Sequence, residues 1–277
     1  MYGFPSRLSL RPTRGVAFIA HLAISLLVFS SLVAVMLIYW FPGDLFIMDG
    51  GWEGLKLVAM IDLVLGPLLT LVLFKPGKPG LKFDLSVIAA VQIAALAYGF
   101  YTTYHQRTVA IVFAENQFTT VSAKDKQEAD KALVELELEP RPLPPAKAFD
   151  IPLFISPLPD SFGAYLAEIF NGLPSANERS DRYVALDGQH EQMKRHQKSV
   201  EDLDQRNVLA DVERAARKQD LSLDELEIYR FKARYASGYA LFDPESSRIV
   251  SYVVSQPEDE QPLADDESKV ADSDQAL

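Results

Sequence analysis

Residues Val16 to Phe41 read VAFIAHLAISLLVFSSLVAVMLIYWF, 26 positions without a charge, whose polar side chains are His21, Ser25, Ser30 and Ser31. At about 1.5 Å of rise per residue such a helix is longer than the roughly 30 Å of hydrocarbon in a bilayer. It closes on Tyr39, Trp40 and Phe41, rings suited to the boundary between hydrocarbon and water. Arg7, Arg11 and Arg14 precede it, as in a secretory signal, but its apolar core far exceeds the roughly 7 to 15 residues of such signals, so it reads as an uncleaved anchor.

Working outward, two more apolar runs follow: Leu55 to Phe74, which contains Asp62, and Leu85 to Tyr101, LSVIAAVQIAALAYGFY, 17 residues and near the short limit for a span. Three such runs within about a hundred residues exceed what a globular core of this size supplies. The reading is a membrane protein with three transmembrane α-helices over 1–104 (about 16–41, 55–74 and 85–101). Lys75, Lys78 and Lys82 join the second and third runs, whereas the connection FPGDLFIMDGGWE carries Asp44, Asp49 and Glu53 and no cation. By the positive-inside rule the N-terminus is cytoplasmic and everything after the third span is delivered across the membrane, to the periplasm of a bacterial cell.

Residues 1–104 hold 7 Lys+Arg against 5 Asp+Glu, while 105–277 hold 20 against 33, a balance of −13 that argues against nucleic acid as a partner. Residues 105–255 read as a small periplasmic α+β domain. Thr108–Ala114 and Gln117–Ser122 form a hairpin around Glu115-Asn116, and Ser122 caps a helix over about 123–137. Seven prolines between Pro140 and Pro159 exclude regular helix or central strand. Helical spacing returns over about 189–217 with a break near Asn207, and Phe231–Phe242 with Arg248–Val254 reads as a second hairpin around 243–247. The last 22 residues, 256–277, have eight acids and one Lys and read as a disordered acidic tail.

The absence of cysteine removes disulfides, thiolate catalysis and zinc-thiolate sites. His190 and His196 are not at metal-binding helical spacing, and no GxxxxGK[ST], GxGxxG, GxSxG or SxxK occurs, so neither catalytic residues, a metal nor a cofactor is expected. Gly50-Gly51-Trp52 reads as a turn with an interfacial Trp. Asp62 is the sharpest local signal, since an acid at span depth costs about 2.5–3.5 kcal/mol and calls for a partner. Pro67 frees the carbonyl of Leu63, and Gly66 admits a close neighbour. With spans centred near 28, 64 and 93, Asp62, Ser31, Gln92 and Tyr98 lie near one depth, so an intramembrane polar cluster is expected, with Asp62 bonded to Gln92 as helix glue or as a partner contact. His21 lies roughly 10 Å nearer the cytoplasm.

The run Gly51-Trp52, Leu55, Asp62-Leu-Val-Leu-Gly66-Pro67-Leu-Leu-Thr70, Phe74-Lys75, Asp84, Gln92, Ala95-Leu96, Tyr98-Gly99, Arg107 and Phe113 resembles the type IV pilin accessory protein family of the TfpX/TfpZ type. The likeness is good over about 36–122, vaguer over about 179–255 around Arg182-Tyr183 and the last hairpin, and absent from the proline-rich stretch and the tail; Thr108 stands where the family pattern has Pro. The resemblance implies a non-enzymatic inner-membrane protein that acts with one type IV pilin to promote surface display of pili. Gly66, Pro67, Ala95, Gly99, Trp52 and Arg107 then become candidates for helix packing or partner contact, and a homo-oligomer stays open. Two rivals are a membrane-tethered periplasmic ligand-binding sensor, which requires a well-formed apolar pocket, and a membrane enzyme, which requires convergent acids or bases.

Overall fold

A computed structural model describes residues 13–186 and 190–255; the tail expected over 256–277 and the flanking Arg7 and Arg11 lie outside the described residues. Thr13 caps the first helix through its Oγ1, which accepts from the Val16 amide at 3.2 Å. Helix α1 (Arg14–Val35) then widens into a π-turn over Met36–Trp40. A short α2 (Leu45–Met48) leads to the second span, built from α3 (Gly51–Ala59), a π-turn over Met60–Leu65 and α4 (Gly66–Leu73). The third is α5 (Leu81–Gln106). All three, Arg14–Trp40, Gly51–Leu73 and Leu81–Gln106, are long and apolar enough to cross a membrane, and Ile19, Leu27, Val72 and Ile93 are among the apolar side chains left facing outward.

Two boundaries differ from the sequence reading. The third helix has 26 residues rather than 17, because backbone capping, not hydropathy, sets helix length: Gly80, at φ 80°, starts it, and polar Thr103 and His105 extend it past the hydrocarbon. The second starts at Gly51, so Trp52 belongs to its first turn rather than to a preceding loop; Gly50, at φ 95°, makes the turn alone.

The extramembrane half is one mixed seven-stranded sheet, a half-barrel, in the order β4-β3-β1-β2-β5-β6-β7. β1 (Thr108–Ala114) and β2 (Gln117–Ser122) pair as the expected hairpin, with Glu115 and Asn116 at φ 50° and 64°, the two-residue turn that matches strand twist. Ser122 caps α6 (Ala123–Glu135), its Oγ accepting from the Asp125 amide at 3.1 Å. The proline-rich stretch does contain an interior strand: β3 (Leu153–Ile155) fits between Pro152 and Pro157 and runs parallel to β1, with β4 (Val184–Ala185) outside it. α7 (Phe162–Phe170), capped by Ser161, was missed. Over 189–217 the helical spacing resolves into 3-10 turns at His190–Gln192 and Lys194–His196, then α8 (Val200–Gln205) and α9 (Leu209–Arg217), broken at Asn207, whose φ is 58°. The expected second hairpin is a three-stranded meander of β5 (Glu227–Lys232), β6 (Ser237–Asp243) and β7 (Arg248–Val254), because the chain turns at Ala233–Ala236, where the Ala233 amide donates to Ala236 at 2.8 Å.

Strand alternation sorts the core by face. Outward, Ala110, Val112 and Val121 pack with Tyr183, and Ile228, Tyr239 and Leu241 pack under α8 and α9. Inward, Ile111, Phe113, Phe118, Phe231, Ala240 and Phe242 make a second layer. That layer is closed by Phe41, Leu45 and Met48 from the connection between the first two spans, all three almost fully buried. Arg182 and Tyr183 hold the proline-rich stretch down: Arg182 pairs with Glu168 and donates to the Pro157 carbonyl, and Tyr183 stacks on Phe154 at 5.1 Å.

Candidate functional site

The membrane helices and the sheet meet at Asp49, which ends α2. Its carboxylate, 1% exposed, accepts from the hydroxyl of Thr108 at the start of β1, from Thr120 Oγ1 of β2 at 2.9 Å, and from the Arg234 amide in the β5–β6 turn at 3.0 Å. Beside it the Tyr235 amide donates to the Met48 carbonyl at 3.0 Å, and the Phe149 amide donates to Ile38 of the first span at 2.7 Å. A buried carboxylate is tolerated when donors surround it, and here each donor comes from a different element, so the ion ties three parts of the sheet to the span connection. Thr108, the departure from the family pattern, supplies one of those donors. Asp49 was read only as one anion of an acidic loop; nothing local distinguishes it from Asp44.

Within the membrane segments Asp62 lies inside the second π-turn, where the Gly66 amide donates to Ile61 five residues back, directly ahead of Pro67. Such turns recur at functional sites. Asp62 is 5% exposed and lines a small cavity with Val58, Ile61, Ala95, Leu96 and Gly99. The structure does not gather the four expected polar residues. No hydrogen bond joins Asp62 to Gln92, whose amide lies instead across Gly66; Ser31 donates to the Leu27 carbonyl of its own helix at 2.9 Å; and Tyr98 is exposed at 68%. Gly66 and Gly99 both serve contact within the bundle: a Cβ on Gly66 would lie 1.8 Å from Gln92 Nε2, and one on Gly99 3.0 Å from Val58. Pro67 is buried between the helices. The bonded polar pair is one that went unread, His21 Nδ1 with Thr70 Oγ1 at 2.6 Å. The depth arithmetic held its signal, since Thr70 lies about 9 Å from its span centre toward the same end of the bundle as His21.

Gly66→Val therefore drives the Gln92 amide out of its recess and is expected to cost about 1–3 kcal/mol. Thermal unfolding in detergent should show it, and adding Gln92→Ala to the same chain should recover most of the loss. No recovery would mean that the glycine serves something other than this packing.

At the end of the bundle nearest the sheet Trp40 packs edge-on to Phe100 at 5.1 Å and Tyr104 at 5.6 Å. Trp52 is half exposed, with Lys56 over its ring at 5.8 Å, and Arg107 lies 3.7 Å from the Tyr104 ring centre. Arg107 and Tyr39 also border a cleft of about 690 Å³ between α6 and the proline-rich stretch, with one charged wall (Lys126, Asp130, Lys131) and one apolar wall (Leu143, Pro144, Ile151). In the 3-10 turn Ala176–Glu178, burial and then the charge of Asp125 on α6 raise Glu178 above the ordinary carboxylate range. Among the described residues no three His, Asp or Glu side chains converge as a metal site.

Three membrane-length helices locked through a buried carboxylate to one mixed sheet define a membrane protein built around a rigid junction. Over 108 residues the chain is 34% identical to a fimbrial assembly protein of serogroups C1 and C2 of Dichelobacter nodosus, a match that takes in 38% of this chain and 82% of that relative. Fimbrial assembly proteins of serogroups I and E1 of the same organism match at 34% and 33% over 108 residues, which is 42% of each. The chain belongs to this family of fimbrial assembly proteins, the type IV pilin accessory family its motifs resemble. No family model matches it, and no solved structure does.

Proposed function

We propose that the protein is a non-enzymatic accessory of type IV pilus assembly that holds pilin in the inner membrane and across its outer face. Its N-terminus is cytoplasmic and its sheet domain periplasmic: the cations of 75–82 lie at one end of the bundle, and the acidic connection joined to the sheet lies at the other. Kinship with fimbrial assembly proteins supports the pilus as the setting. The observation that carries the manner of action is the shared core, in which Phe41, Leu45 and Met48 of the span connection fill the inner face of the sheet. A subunit with an apolar helix in lipid and a head outside would meet one body, not two tethered parts. Spans two and three, at outward positions such as Val64, Val91 and Ile93, form the face offered to that helix.

Photocrosslinkers at exposed span positions such as Ile93 should capture pilin, and deletion should lower the number of surface pili. If pili return when the retraction motor is also deleted, the protein opposes retraction; if they stay absent, it acts in assembly. Capture of unrelated proteins alone, with pili unchanged by deletion, would refute the reading. The rival ligand-binding sensor gains one observation, the cleft beside Arg107. Its charged wall and its position against the membrane suit a peptide surface better than an enclosed small-molecule pocket.

A further inference from the structure

We propose that the free edge of β7 receives an extended segment of a partner, the pilin subunit under the reading above on which this inference rests, as an eighth strand. β7 ends the sheet order, and from Ile249 to Val254 it carries no Pro, Lys or other charge. Proteins usually blunt such edges with those residues, because a row of unpaired backbone groups is a template for another strand. The Ser255 amide donates to the Ser237 carbonyl at 2.9 Å, which fixes the alternation: Val253 and Ser251 bond to β6, and Tyr252 and Val254 turn their backbone groups away from it. Among the described residues no other element takes those groups up.

The edge does not face open surroundings. It forms one wall of a groove of about 930 Å³ whose other wall is Leu153, Ala185 and Leu186, at the opposite margin of the half-barrel, and whose floor is Pro42 and Leu45 of the span connection. The charges around it cancel, with Lys147 and Arg248 against Asp44 and Asp150, and Arg248 already pairs with Asp150 at 3.0 Å. With the charges cancelled, the lining mixes apolar Pro42, Leu153 and Ile249 with Ser246, Ser247 and Ser251, which suits an uncharged strand with apolar and polar side chains in alternation. It does not suit the chain's own last 22 residues, which carry a net −7 and two prolines. A second copy fits no better, since its β7 would arrive already walled by its own groove.

The chain has no cysteine, so one introduced thiol can be labelled alone. In the full-length protein in membranes of piliated cells, a photoreactive maleimide on Ser251→Cys should crosslink to pilin. Adding Val254→Pro removes an outward amide without touching the bonds to β6. It should lower that crosslink roughly fivefold or more while the thermal midpoint and pilin capture from Ile93 stay unchanged. Capture from Ile93 but none from Ser251→Cys overturns this inference and leaves the reading of function standing; no capture from either position refutes both. A crosslink to residues 256–277, or to a second copy, assigns the groove to that occupant and overturns the proposal. If Val254→Pro lowers the midpoint, Val254→Lys replaces it as the edge-blocking variant.

Discussion

Residues 105–255 produced without the first 104 are expected not to fold. The inner face of the sheet is closed by Phe41, Leu45 and Met48, which belong to the span connection. Each buried side chain of this size contributes about 1.5–3 kcal/mol, so their loss removes roughly 5–9 kcal/mol. A domain as a whole has only about 5–15 kcal/mol of net stability. The fragment would also expose Phe118, Phe231 and Phe242 as a contiguous apolar concavity, a surface that self-associates. Size-exclusion chromatography should give aggregate, and near-ultraviolet circular dichroism should lack a packed aromatic signal. The same fragment with residues 36–50 joined to it by a flexible linker should recover both. A monomeric, cooperatively unfolding 105–255 fragment would show that the sheet carries its own core and that the shared one is incidental.

Asp49→Ala should be the most damaging single substitution outside the membrane segments. It leaves the Thr108 and Thr120 hydroxyls and the Arg234 amide without their acceptor in a buried site. At about 1–3 kcal/mol for a stranded donor, and with the hydroxyls free to rotate toward other acceptors, the expected cost is roughly 2–4 kcal/mol. For a body of this size that lowers the thermal midpoint by about 5–15 °C. Asp49→Asn keeps one acceptor oxygen and should lose less. Limited proteolysis offers a second reading, since the turn at Ala233–Ala236 and the start of β1 should become cleavable together if one carboxylate restrains both. Independent loss of the two sites, or a midpoint equal to that of the unaltered protein, would remove Asp49 from its place at the junction.

The relation between spans and sheet also bears on the pilus. If the two were joined only by a linker, contact with a subunit's helix and contact with its head would add little to one another. Under the proposed reading, a fixed junction would let the second contact follow the first within one body, so that the ordering cost is met once. A chain with Asp49 removed should then still capture pilin from the spans but display fewer pili.

Sequence alone determined what depends on neighbours along the chain. Length and apolarity announced three membrane helices, the Glu115-Asn116 turn announced its hairpin, and Ser122 announced the helix it caps, because hydropathy, turn chemistry and capping act within a few residues. It also placed Asp62, Ser31, Gln92 and Tyr98 at one level of the bundle, but not whether they touch, since depth along a helix says nothing about rotation around it. Tertiary structure decided the rest. Asp49 meets partners 59, 71 and 185 positions away, and β3 is a strand only because β1 offers it an edge. Contacts at those separations leave no periodic trace in the chain, so the acidic loop that looked like a mere connection became the piece on which the sheet closes.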